Sequence, residues 1–148
     1  MASTTVDSVS QKLSPRLATI VDGLPLRPES RVIEVGCGPG AAARAVAARL
    51  TTGHILAIDR SATAVAQVRA GAADLIASGR LSVRQARVED FTLEVGEEPY
   101  DLVFAVRVGA LDGRDPEAGR LALRRIALAT TPDARLFVDG RELTIPRP

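Results

Sequence analysis

Short, nearly continuous apolar runs alternate along this chain with stretches in which apolar residues recur at helical spacing. The runs at 31–35 (RVIEV), 54–59 (HILAID), 81–86 (LSVRQA), 100–106 (YDLVFAV) and 136–138 (LFV) predict strands. Helical spacing appears in Leu17, Ile20, Val21 and Leu24, then in the alanine-rich stretch 41–50. It returns in Val65, Val68, Ala72, Leu75 and Ile76, which predict one helix from Ser61 to Ser78. A last stripe joins Leu121, Ala122, Ile126 and Ala129, with Arg125 on the same side and so obliged to reach water or find a partner.

Local punctuation agrees with this division. Ser14-Pro15, Ser61 and Asp115-Pro116-Glu117 have the chemistry of helix starts. Gly23, Gly53, Ser78-Gly79 and Thr131-Pro132-Asp133 are stops. Asp139-Gly140 before Glu142-Leu143-Thr144-Ile145 predicts a closing hairpin. Alternating strands and helices imply an α/β fold, a Rossmann-like, doubly wound, mainly parallel sheet with helices on both faces. Such a sheet binds ligands at the carboxyl ends of its strands. Residues 1–12 are expected to be a mobile arm and 13–148 a single domain.

Composition narrows the function classes. A formal net charge of +1 gives no reason to expect a nucleic-acid or membrane surface. Cys37 is the only cysteine and His54 the only histidine, so neither a disulfide framework nor a zinc site is expected, and no metal is assigned. The first residues lack the charged and apolar regions of a secretory signal, and no apolar run approaches a membrane span. A cytoplasmic protein is the expectation.

The chemistry concentrates where the first strand ends, in Glu34-Val35-Gly36-Cys37-Gly38-Pro39-Gly40. Strand, glycine turn and helix in that order make a cradle for the polar part of a nucleotide-like ligand. Gly36, Gly38 and Ala41 also satisfy the dinucleotide fingerprint. Asp59 closes the second strand, where a carboxylate can accept both hydroxyls of a ribose in either kind of site. A carboxylate at Glu34 would repel a pyrophosphate but suits a ligand carrying a sulfonium and an amino group.

The loop resembles the E/D-x-G-x-G-x-G motif of class I S-adenosylmethionine (SAM) dependent methyltransferases, of the small-molecule type with a short C-terminus. Segment 100–106 resembles that family's Y/F-D-L-V strand, and 87–91 its G-D-A-E-D-L stretch; the likeness spans about 25–145. It implies SAM as cofactor, held by Glu34, Gly36, Cys37, Gly38, Gly40, Asp59, Arg60, Arg87, Val88 and Ala105. The acid that usually meets the adenine amino group falls at Arg87, which cannot accept that bond. By the same likeness, residues 107–111 would line the floor of the methyl-transfer site, where Arg107 suits a carboxylate or phosphate as well as a structural ion pair. The N/D-P-P-Y/F motif of amino-methylating nucleic-acid enzymes is absent, so the implied acceptor is a small molecule. No catalytic base is assigned: His54 starts its strand at the far end of the sheet, and Cys37 and Tyr100 are expected to be structural.

An NAD(P)-binding module and a SAM-binding partner subunit without catalysis remain the alternatives. The family's fuller ending is reduced here to 136–145. That implies an exposed sheet edge, which a homodimer would cover, and a shallow pocket that a partner chain would complete.

Overall fold

In the computed structural model the described residues are 13–148; the arm expected over 1–12 lies outside them. Helix α1 (Pro15–Asp22) starts at Ser14, whose hydroxyl accepts the Leu17 N–H at 3.1 Å. Strand β1 (Arg31–Val35) leads through the glycine loop into α2 (Ala41–Ala47), and β2 (His54–Asp59) into α3 (Ala62–Gly71) and α4 (Ala73–Ala77). Then come β3 (Leu81–Gln85), a 3-10 turn (Val88–Asp90), β4 (Tyr100–Ala105), α5 (Pro116–Ala129), β5 (Thr130–Val138) and β6 (Arg141–Leu143).

The six strands form one sheet in the order β3-β2-β1-β4-β5-β6. All neighbours are parallel except β5 and β6, the expected hairpin. The order reverses direction at β1, so crossovers on its two sides fall on opposite faces and leave a crevice at the carboxyl ends of β1 and β4. One face packs Val32, Ile55 and Phe104 against α1, α2 and α3. On the other, Ile33, Leu56 and Val103 pack against α5 and the 3-10 turn.

Beyond shifts of a residue or two at strand ends, the predicted elements differ from the observed ones in four places. The helix expected from Ser61 to Ser78 breaks at Ala72, whose φ of −124° is not helical. Its neighbour Gly71 is a poor helix residue, and the Arg44 guanidinium lies only 3.1 Å from where a Cβ of Gly71 would stand. The alanine helix ends at Ala47 rather than Leu50, and its last residues close with tighter i→i−3 bonds. The last long strand runs from Thr130 through Pro132, where the ladder to β4 is irregular and β6 does not reach, so the missing N–H of proline costs no bond. Leu121 is exposed rather than packed, while Arg125 is part-exposed as its position demanded.

Candidate active site

The glycine loop is shaped by neighbours as much as by its own sequence. Gly36 has φ +70°, and a Cβ there would stand 2.7 Å from Val108 Cγ2, the loop that follows β4. Gly40 has φ +95°, and a Cβ would meet Val68 Cγ2 of α3 at 2.9 Å. Glycine is therefore required at both ends of the loop, for backbone and for space.

The loop uses its own amides. Gly36 and Cys37 both donate to the Ile58 carbonyl, at 2.8 and 3.0 Å, and Gly40 donates to the Cys37 carbonyl at 3.1 Å. The Gly38 N–H donates to Asp59 Oδ2 at 2.9 Å, while Asp59 Oδ1 accepts from Ser61 N–H at 2.9 Å. A pyrophosphate needs such donors free and pointing outward. Here four amides are turned inward, which disfavours the dinucleotide reading.

Beneath the loop lies Glu34, only 3 % exposed, with Oε1 lacking any hydrogen-bond partner. Burial, then the nearby Asp59 charge, pushes its carboxyl up from 4.5 to about 8. Cys37 is buried beside it; burial, then the charges of Glu34 and Asp59, push the thiol up to about 12, far from a reactive thiolate.

Above the sheet a cleft of about 540 Å³ opens at the carboxyl ends of the strands. Of the residues singled out by sequence, Gly36, Asp59, Arg60, Arg87, Val88 and Arg107 line it. Glu34, Cys37, Gly38, Gly40 and Ala105 do not: they form its buried underside and the loop wall. Arg87 is paired with Glu89 at 3.3 Å, and Glu89 also lines the cleft. A carboxylate therefore stands two residues beyond the position the motif alignment gave to arginine.

Sequence reasoning put 107–111 on the floor of the site, of which 107–110 line the cleft, but missed the rest of the opposite wall. The 108–110 segment, Arg114, Asp115 and Ala118 complete the cleft. Asp115 and Ala118 belong to the start of α5, which was predicted as a helix but not as part of a site; the crossover rule for parallel strands was the available signal. His54 sits at the far end of the sheet, bonded to the Gly79 carbonyl and Ser82 hydroxyl at 2.7 Å each. Tyr100 donates to Glu97 at 2.6 Å within the structure, and burial first, then the Glu97 bond, push its phenol up. Among the described residues no cluster of histidine, cysteine and acids could hold a metal ion.

Comparison with known proteins fits this geometry. A trans-aconitate 2-methyltransferase of Streptomyces avermitilis is 35 % identical over 79 residues, which is 53 % of this chain and 28 % of that protein. A SAM-dependent methyltransferase from Thiobacillus denitrificans, solved with S-adenosylhomocysteine, superimposes with a TM-score of 0.65 at 20 % identity, over 90 % of this chain and 52 % of that one. Phosphoethanolamine N-methyltransferase 1 of Haemonchus contortus gives 0.70 at 16 % identity, over 92 % and 30 % respectively. These two likenesses concern the fold, and the chain spans about half or less of the length of each of these proteins. Residues 32–133, most of the chain, match the methyltransferase domain family, and the chain belongs to that family.

Proposed function

We propose that this domain binds SAM in the cleft above the glycine loop and transfers its methyl group to a small-molecule acceptor. The observation that carries the reading is the pairing of Asp59 with a loop whose amides are internally satisfied and whose buried acid, Glu34, has an unpartnered oxygen. That environment suits a ribose and a cationic neighbour and not a pyrophosphate. SAM supplies an electrophilic methyl on a sulfonium; the chain's task is to place an acceptor in line with it and keep water out.

In this reading the Asp59 carboxylate accepts the ribose hydroxyls and is held in place by the Gly38 and Ser61 amides. Val88, 5 % exposed, gives the adenine an apolar face, and Arg60 flanks it. Glu89 takes over the acidic role that Arg87 cannot fill, reading the adenine amino group from two residues further on. Glu34 would face the cationic part of the cofactor through the loop. The acceptor lies against the 107–110 segment and the start of α5. The acceptors named in the relatives, trans-aconitate and phosphoethanolamine, are small molecules and support that class.

No described helix is long and apolar enough to cross a membrane. The domain is proposed to work in the cytoplasm, as a homodimer paired through the three-residue β6 edge, all of whose residues are exposed.

Calorimetric titration with S-adenosylhomocysteine tests the cofactor assignment. The account expects Asp59→Ala to weaken binding by about 1.4 kcal/mol or more, a factor of about ten, with the fold retained. Unchanged affinity in that variant would remove Asp59 from the site.

A further inference from the structure

Two non-glycine residues of the described chain have a left-handed backbone, Arg107 at φ 57° and Asp139 at φ 52°. They are bonded to each other. The Arg107 N–H donates to Asp139 Oδ1 at 2.9 Å, and the Asp139 N–H donates to the Ala105 carbonyl at 2.9 Å. Arg16 adds a contact to the same Asp139 oxygen at 3.5 Å. A strained conformation persists only where its surroundings hold it, and here it sets Arg107 on the wall of the cleft. Among the described residues the Arg107 guanidinium has no ion pair and no hydrogen bond, whereas Arg87 and Arg114, on the same cleft, are paired with Glu89 and Asp112.

The carboxylates of the cleft are engaged elsewhere. Asp59 holds Gly38 and Ser61, Glu89 holds Arg87, and Asp115 caps α5 by accepting the Ala118 N–H at 3.1 Å. Among the described residues no histidine, cysteine or tyrosine lines it. Among the described residues the site thus offers an acceptor an unpaired cation on a fixed backbone, while each of its carboxylates already holds a neighbour.

Resting on the proposed function, we infer that the acceptor is a small organic carboxylate, bound through Arg107 and methylated on a carboxylate oxygen. A guanidinium can hold one oxygen of such a group, or a second carboxylate, by charge-assisted bonds. The remaining oxygen is already ionised at neutral pH. Its electron pair forms the new bond to the methyl carbon, and the carbon–sulfur bond breaks with its pair left on sulfur. A methyl ester results, no proton moves, and one positive and one negative charge cancel. Asp139 is a positioning residue, acting through the Arg107 backbone.

The test is a thermal-shift titration of the full chain with citrate, succinate and benzoate, and with trimethyl citrate, each with and without S-adenosylhomocysteine. Arg107→Asn suits a left-handed backbone and removes the charge; Arg107→Lys keeps the charge. At least one carboxylate is expected to bind the wild type, about ten-fold more weakly to Arg107→Asn, with partial recovery in Arg107→Lys and no response to the ester. Incubation with labelled SAM should give label released as methanol by mild alkali. Equal binding of acid and ester, equal binding by Arg107→Asn, or no carboxylate bound would overturn the inference. A missing response to S-adenosylhomocysteine counts instead against the proposed function, since the carboxylate response is also read without it.

Discussion

Glu34 is a carboxyl group that the fold keeps out of water beside another acid. Its folded value of about 8 lies above the ordinary 4.5, so the native state holds a proton that the unfolded chain releases. The stability this group contributes is complete below about pH 4.5 and is lost as pH rises through about 8. Wild type should therefore lose up to about 1.4 kcal/mol per pH unit across that window, relative to Glu34→Gln, which cannot titrate. Urea unfolding of both proteins from pH 5 to 8 checks this; parallel profiles would contradict it. Asp59 behaves differently: its two oxygens are anchored by backbone amides, which keeps the carboxylate oriented whether or not a ribose is present. The placement of these residues at the carboxyl end of the sheet was legible in the sequence because both lie at the ends of apolar strands, and strand ends converge in a parallel sheet. That Glu34 lies under the loop and not on the cleft surface was not legible, because alternation assigns a face but not how the following turn folds over it.

Elements carry the site through close approaches that only small residues permit. Gly53 precedes β2 against the Ser30 carbonyl: a Cβ there would stand 2.1 Å from Ser30 O and 2.9 Å from the Glu29 carbonyl carbon. Both obstacles are backbone, and the same Ser30 carbonyl accepts the His54 N–H at 3.0 Å. Gly53→Ala should cost about 3 kcal/mol or more by overpacking, measured as a lower urea midpoint with an unchanged slope. A loss under about 0.5 kcal/mol, the range of ordinary surface changes, would contradict the packing described. The strands β1 and β2 were read from sequence with their observed bounds, since both are buried runs flanked by turn residues. Elements whose ends depend on neighbours were not. The break at Ala72 follows Arg44 packing over Gly71, and β5 extends through Pro132 because the ladder there needs no proline N–H. Arg107 was visible as a residue just beyond the carboxyl end of β4, but its left-handed backbone comes from Asp139, thirty-two positions away in sequence.

For the whole molecule, the sheet order places the glycine loop of β1, the acid of β2 and the arginine after β4 around one crevice, and the family match spans those elements. A doubly wound parallel sheet was legible from the alternation of strands and helices, whereas right-handed crossovers allow more than one strand order, so the order itself comes from the structure. The part of the wall made by Arg114, Asp115 and Ala118 follows only from how α5 returns over the sheet. The central claim is that this crevice is built for SAM and not for a dinucleotide. A thermal-shift titration with S-adenosylhomocysteine beside NADH addresses it most directly. Saturation at about 100 times the dissociation constant adds about 2.7 kcal/mol of stability, on the order of 5–10 °C in midpoint for a domain of this size. The account predicts that rise with S-adenosylhomocysteine and none with NADH; a rise with NADH alone would contradict it.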